Sequence, residues 1–165
     1  MYSKSFNLEI NKKISPFKKN IKVDSDKSIS IRSFIISAIS QNISKIENVL
    51  ESDDVFSTIN CLKKLGVKIL KKSRGNYLVY GKGLGSLYAK KNLELNFGNS
   101  GTLARLLLGV LSSTPNIELR VKGDHSLNKR NMKKLIFLMS KFGATFLPKK
   151  KYKFPLKLIS SEAPI

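Results

Sequence analysis

The sequence is poor in the residues that build covalent staples and metal cages. It has one cysteine, one histidine and no tryptophan in 165 residues. A lone cysteine, Cys61, excludes a disulfide framework and fits a reducing compartment. It lies beside Ile59 and Leu62 on a helical pattern, which marks core packing rather than chemistry. A lone histidine, His125, excludes a multi-histidine metal site and reads as a loop residue. No apolar run reaches the ~18 residues of a membrane-spanning helix, so no membrane span is expected. The opening Met1-Tyr2-Ser3-Lys4-Ser5-Phe6 is not followed by an apolar stretch and does not read as a secretory leader. A cytoplasmic location is the expectation.

Acids are scarce too. Eleven Asp and Glu stand against 31 Lys and Arg, for a net charge of +20. That balance invites a nucleic-acid partner. Its make-up argues for another reading, because 26 of the basic residues are Lys, spread over every segment, and only five are Arg. Nucleic-acid surfaces favour arginine forks and stacking aromatics. In a chain that uses Lys so freely, Arg marks places where a planar fork is needed. Three of the five, Arg32, Arg105 and Arg130, fall in or beside glycine-rich or helix-start segments.

The apolar fraction of 41% fits a globular chain, and the length fits one domain with a real core. Leu93, Leu95 and Phe97 alternate as a strand does. Leu103, Leu106, Leu107, Val110 and Leu111 then follow helical spacing. Between them lies Asn99-Ser100-Gly101-Thr102. A glycine-rich corner between a strand end and a helix start gathers free N–H groups and the positive helix end, which suits an anion. Asn99 or Ser100 is the expected N-cap.

Phe6, Leu8 and Ile10 predict a strand, followed by a Lys-rich loop through Pro16. A helix with the stripe Ile31, Phe34, Ile35 and Ala38 follows, capped by Asp26 or Ser28. A strand is predicted over 43–50. A second helix follows, capped at 52–54 and carrying Val55, Ile59, Leu62 and Leu65. Val67–Leu70 and Tyr77–Tyr80 predict a hairpin. Strands at 93–97, 117–122, 144–147 and 155–159 alternate with helices at 102–112 and 129–142. The last of these helices carries Met132, Ile136, Met139 and Phe142 and ends at Gly143.

The pattern repeats. The second helix of each half superposes at a shift of 77 residues, and the first helix at a shift of 72. The difference falls in a connection, where insertions cost little. The chain therefore reads as two β-α-β-α-β-β-like units of roughly 75 residues, with helices packed on mixed sheets.

Three clusters carry the chemistry. They are Lys27-Ser28-x-Ser30-x-Arg32, Asn99-x-Gly101-Thr102 with Arg105, and Gly123-Asp124-x-Ser126-Leu127-x-x-Arg130. Each sets cationic or N–H donors near a predicted element end, as a phosphate or carboxylate ligand needs. None has P-loop spacing. Asp124 reads as a turn or cap residue. Arg130 is predicted in a first helical turn, a poor place for a cation unless an anion is held nearby.

In this order, Asp26-Lys27-Ser28-Ile29-Ser30-Ile31-Arg32, Gly98-Asn99-Ser100-Gly101-Thr102-Leu103-Ala104-Arg105 and Gly123-Asp124-His125-Ser126-Leu127-Asn128-Lys129-Arg130 resemble the N-terminal part of the 5-enolpyruvylshikimate-3-phosphate synthase family. The resemblance spans about residues 5–165. The sister family of UDP-N-acetylglucosamine enolpyruvyl transferases shares the fold but lacks the Lys-Ser-x-Ser-x-Arg pattern. The implied fold class is α/β (an α+β repeat) of enolpyruvyl transferase type, with two domains of three such units each and the active site between them. Residues 1–22 would be a strand and linker toward the second domain. Residues 23–165 would be an incomplete enolpyruvyl transferase domain, with repeats at about 23–83 and 93–160.

The resemblance implies transfer of the enolpyruvyl group of phosphoenolpyruvate to the 5-hydroxyl of shikimate 3-phosphate, by addition and elimination, without metal or cofactor. It places Lys27 on phosphoenolpyruvate and near the 5-hydroxyl. It places Ser28 and Arg32, with Lys27, on shikimate 3-phosphate. Asn99, Gly101, Thr102 and Arg130 would line the phosphoenolpyruvate side. The implied partners are these two small molecules, with no membrane and no nucleic acid, and the full-length protein would be a monomer. The acid–base carboxylates are expected beyond Ile165, so the 165 residues alone are expected not to turn over. The sequence departs from the family at Ser25, Ile31 and Asn131, where Gly, His or Asn, and Pro are usual. It keeps Gly101, where Ala in the family lowers sensitivity to glyphosate. Two other readings stand beside this one: a basic nucleic-acid module, and a non-catalytic remnant that binds shikimate 3-phosphate or packs against a partner.

Overall fold

A computed structural model describes residues 23–161, together with Asn7, Glu9, Asn11, Lys13, Ser15, Pro16, Lys18 and Asn20. The strand predicted from Phe6, Leu8 and Ile10 lies outside the described residues. The first described element is α1 (Lys27–Ile39), started by Asp26, whose carboxylate accepts from Ile29 N–H at 2.6 Å. It is followed by β1 (Ile43–Ile46), α2 (Asp53–Lys64), β2 (Lys68–Ser73) and β3 (Asn76–Tyr80). The second half runs β4 (Glu94–Asn96), α3 (Gly101–Ser112), β5 (Glu118–Lys122), α4 (His125–Lys129), α5 (Lys133–Lys141), β6 (Thr145–Leu147) and β7 (Leu156–Ile159).

The two halves share one plan. The first sheet has the order β1-β3-β2, antiparallel throughout. The second has the order β4-β5-β7-β6, with β4 parallel to β5 and the other pairs antiparallel. β5-β7-β6 thus repeats β1-β3-β2, and β4 adds a parallel strand at the β5 edge. A parallel pair needs a crossover helix, and α3 supplies it. The stripes read from the sequence face inward: Ile31, Phe34, Val55, Leu62, Leu103 and Leu107 are all fully buried. α1 packs on α2 within its own half and on α3 of the other, so one core joins both. Each such side chain contributes about 1.5–3 kcal/mol on burial.

Three expectations need correction. The strand predicted over 43–50 stops at Ile46, because Asn48 turns to φ +57° and the chain is handed to the hairpin. There Val49 N–H donates to Gly75 O, and Glu51 accepts from Gly75 N–H, Tyr77 Oη and Lys71 Nζ. The helix predicted over 129–142 begins only at Lys133, as α5, while Lys129 ends the separate short α4, which opens at His125 (read from the sequence as a loop residue) and has Arg130 as its extended C-cap at ψ 140°. Met132 N–H leaves the helical ladder to donate to Tyr152 O, which fixes the break. Phe142, taken as the last core position of that helix, is 40% exposed. Its counterpart Leu65 is covered by the 81–93 connection, where Tyr88 N–H donates to Leu65 O.

Candidate anion-binding site

The corner at residues 97–101 is built by hydrogen bonds on every side. Phe97 N–H donates to Lys122 O, and Gly98 O accepts from Asp124 N–H, both at 2.8 Å. Gly98 takes φ +56° to turn the chain off β4. Ser100, fully buried, is the N-cap of α3 and accepts from Leu103 N–H. The alternative cap, Asn99, is therefore free for another role. Its Oδ1 accepts from Arg130 Nη2 at 2.9 Å.

Two guanidiniums close over Gly101. A Cβ there would lie 2.8 Å from Arg105 Nη1 and 2.9 Å from Arg130 Nη1. Arg105 Nη1 also donates to Gly101 O at 3.1 Å. Two cationic forks and the positive end of α3 thus meet beside Asn99 and Thr102. Like charges this close are mutually unfavourable, and a bound anion offsets that cost. Arg130 reaches the corner because α4 is short. Asp124 caps it, accepting from Leu127 N–H at 2.7 Å, and the chain leaves extended at Arg130. Asp124 is a cap, and a cation at the end of α4 sits well with its dipole. The expected cost of a cation in a first helical turn does not arise.

The first cluster joins through α2. Lys27 Nζ lies 3.0 Å from Asp54 Oδ2 in the first turn of that helix. Ser57, one turn on, packs on Gly98, where a Cβ would meet its Oγ at 2.9 Å. Residues three apart share a helix face, so α2 sets the start of α1 next to the corner. Ser28 and Arg32 are four apart on α1 and also share a face, with Arg32 exposed and Ser28 half-buried. Ser30 has a structural job. It is 4% exposed, donates from Oγ to Asp26 O and accepts from Leu50 N–H. The structure thus brings Asn99, Gly101, Thr102 and Arg130 into direct proximity, with Arg105 added, and ties Lys27 to them by one intervening helix turn. Sequence reasoning missed Asp54 and Ser57. Their signal, an acid and a hydroxyl three apart at a helix start, reads equally as helix-dipole chemistry.

A cavity of about 750 Å³ lies elsewhere, between residues 23–25, the 47–51 segment and the hairpin turn. Asp24, Glu47 and Glu51 line it together with Arg74, a net negative lining and the wrong sign for an anion. The hydrogen bonds from Gly75 N–H, Lys71 and Tyr77 hold the Glu51 carboxyl down at about 2. Cys61 is buried between α2 and β4. Burial pushes its thiol up to about 12, and Sγ donates to Asn96 O. No helix among the described residues is long and apolar enough to cross a membrane.

Comparison with known proteins follows the same outline. The family model described as EPSP synthase (3-phosphoshikimate 1-carboxyvinyltransferase) matches residues 11–162. A 3-phosphoshikimate 1-carboxyvinyltransferase of Syntrophomonas wolfei is 39% identical over 147 residues, covering 89% of this chain and 34% of that protein. One of Sulfurihydrogenibium is 43% identical over 133 residues, covering 81% of this chain and 30% of that protein. The structure of EPSP synthase from Acinetobacter baumannii matches with a TM-score of 0.78 at 31% identity, covering 86% of this chain and 32% of that one. The chain spans about a third of the length of the curated relatives it matches. With a matching fold and a family model over nearly all of its residues, the chain belongs to the EPSP synthase family.

Proposed function

We propose that these residues form the anion-binding part of a site that transfers the enolpyruvyl group of phosphoenolpyruvate to the 5-hydroxyl of shikimate 3-phosphate. The observation that carries the reading is the meeting of Arg105 and Arg130 over Gly101, beside Asn99. Phosphoenolpyruvate bears a phosphate and a carboxylate, and two planar forks match two planar or tetrahedral anions. Asn99, Gly101, Thr102 and Arg130 hold this substrate. Ser28 and Arg32, on one face of α1, hold shikimate 3-phosphate. Lys27 reaches both, placing its ammonium near the 5-hydroxyl. Addition of that hydroxyl and loss of phosphate redistribute negative charge over groups already surrounded by fixed donors. Such a site works by positioning and by stabilising that charge.

The test is a titration of this chain with phosphoenolpyruvate and, separately, with shikimate 3-phosphate, followed by amide resonances. Phosphoenolpyruvate is expected to shift residues 98–102 and 123–130, and shikimate 3-phosphate residues 26–32. Arg130→Ala is expected to abolish the first set and spare the second. Shifts scattered over the surface lysines and erased by moderate salt would refute the reading and favour a nonspecific polyanion surface.

A further inference from the structure

Lys27 stands at the first position of α1, where the helix dipole disfavours a cation. A lysine also ends in a point charge on a flexible four-carbon stem, with no pre-organised fork to limit the freedom lost on binding. Both costs are met by one residue that the functional reading above does not use. Asp54 holds Lys27 Nζ at 3.0 Å from the favoured end of α2, and its side chain is only 18% exposed against 48% for Lys27. The loop that delivers Asp54 is tied on both sides. Ser30 Oγ accepts from Leu50 N–H at 3.1 Å, which binds the loop to the start of α1. Glu51 accepts from Gly75 N–H, Tyr77 Oη and Lys71 Nζ, which binds it to the hairpin. The acid is therefore fixed relative to the helix that carries Lys27, and Ser57 on the same face is fixed against Gly98.

We propose that Asp54 is a positioning residue: it holds the Lys27 ammonium aimed at the corner before an anion arrives, and Ser30 and Glu51 hold Asp54 in place. The proposal rests on the reading that Lys27 contacts the anionic substrates. The lysine stem then loses less freedom when the anion binds.

Two measurements on this chain test it. The first is amine labelling at limiting reagent, quantified by peptide mass spectrometry. Asp54→Asn is expected to raise the labelling rate of Lys27 about two- to five-fold, the range of a half-exposed ion pair. Lys45, paired with the well-exposed Glu47, is the internal control and is expected not to change. Asp54→Glu is expected to restore part of the protection. The second is a cycle with phosphoenolpyruvate as probe. Lys27→Met is expected to weaken binding in the parent chain, and at least two-fold less in the Asp54→Asn background. The cycle cancels the direct repulsion between the Asp54 carboxylate and the ligand. Unchanged Lys27 labelling in a folded Asp54→Asn chain, or an equal Lys27 contribution in both backgrounds, overturns the proposal. Failure of phosphoenolpyruvate to bind the parent chain overturns the functional reading instead, and the labelling ratio still decides the pair.

Discussion

Gly101→Ala separates stability from binding. Gly101 is the first residue of α3 and its backbone is outside the left-handed region, so alanine fits the chain itself. In a helix, alanine is favoured over glycine by about 0.5–1 kcal/mol. The added methyl would lie 2.8 Å from Arg105 Nη1 and 2.9 Å from Arg130 Nη1. Ordinary contact needs about 3.5 Å or more, so both guanidiniums must retreat by at least about 0.6–0.7 Å. That lengthens the Arg130–Asn99 and Arg105–Gly101 hydrogen bonds, now 2.9 and 3.1 Å, to the edge of the useful range. One such bond is worth about 0.5–1.5 kcal/mol net, so phosphoenolpyruvate binding is expected to fall about tenfold. The melting temperature is expected to hold or rise. The assay is a paired thermal melt and phosphoenolpyruvate titration on both chains. In an active full-length enzyme, the same crowding is expected to reduce inhibition by glyphosate. Equal affinity in the two chains would refute the crowding argument, and a lowered melting temperature would show that the methyl is absorbed by the helix rather than by the arginines.

Other consequences are equally direct. Glu51 has its carboxyl lowered from 4.5 to about 2 in the folded state, so the folded state favours its ionised form. Its contribution is present above pH ~4.5 and is lost as pH falls toward 2, so the melting temperature should drop through that window. Glu51→Gln should flatten the drop, as followed by circular dichroism against pH. Leu107 is fully buried in α3, and Leu107→Ala should cost about 2–5 kcal/mol in urea unfolding. With its thiol pushed up to about 12, Cys61 should resist alkylation at pH 8 in the folded chain and react quickly in denaturant, as read by mass. Arg130→Lys keeps the charge but loses the fork, and should weaken phosphoenolpyruvate binding by about the two-hydrogen-bond margin, roughly tenfold.

Much of the fold was legible because periodicity is a local signal. The stripes of α1 and α2 and the leucines at 103, 107 and 111 are where the spacing put them. The repeat was legible for the same reason, and the shared strand orders carry it into three dimensions. The break at 130–132 was not legible. It depends on Tyr152 O reaching Met132 N–H across twenty residues, and an apolar spacing continued through it. The early end of β1 was hidden likewise, since Ile46 and Val49 alternate acceptably while the hairpin contact that turns the chain lies in residues 75–77. At the site, the corner and its arginines could be read from residue type. The Lys27–Asp54 pair could not, because nothing in the 27-residue separation says that the two helix starts face each other.

The placement of acids bears on how so basic a chain would hold the proposed anion site. Glu47, Glu51, Glu94 and Glu118 each pair with a lysine and not with Arg105 or Arg130. The exposed pairs of Glu47, Glu94 and Glu118 are worth little individually and leave the surface lysines hydrated and screened, whereas the less exposed Glu51 is held by three donors. Near the corner, Asp124 is used as a helix cap and Asp54 on Lys27. Arg105 and Arg130 are left with only neutral oxygens as described partners. Charge excess alone would attract any polyanion. Two forks fixed on a buried glycine, at the start of a capped helix, favour a small anion of defined shape, because their donors are already in place when it arrives. The discrimination lies in the geometry of a few arginines, against a lysine background that the general composition supplies.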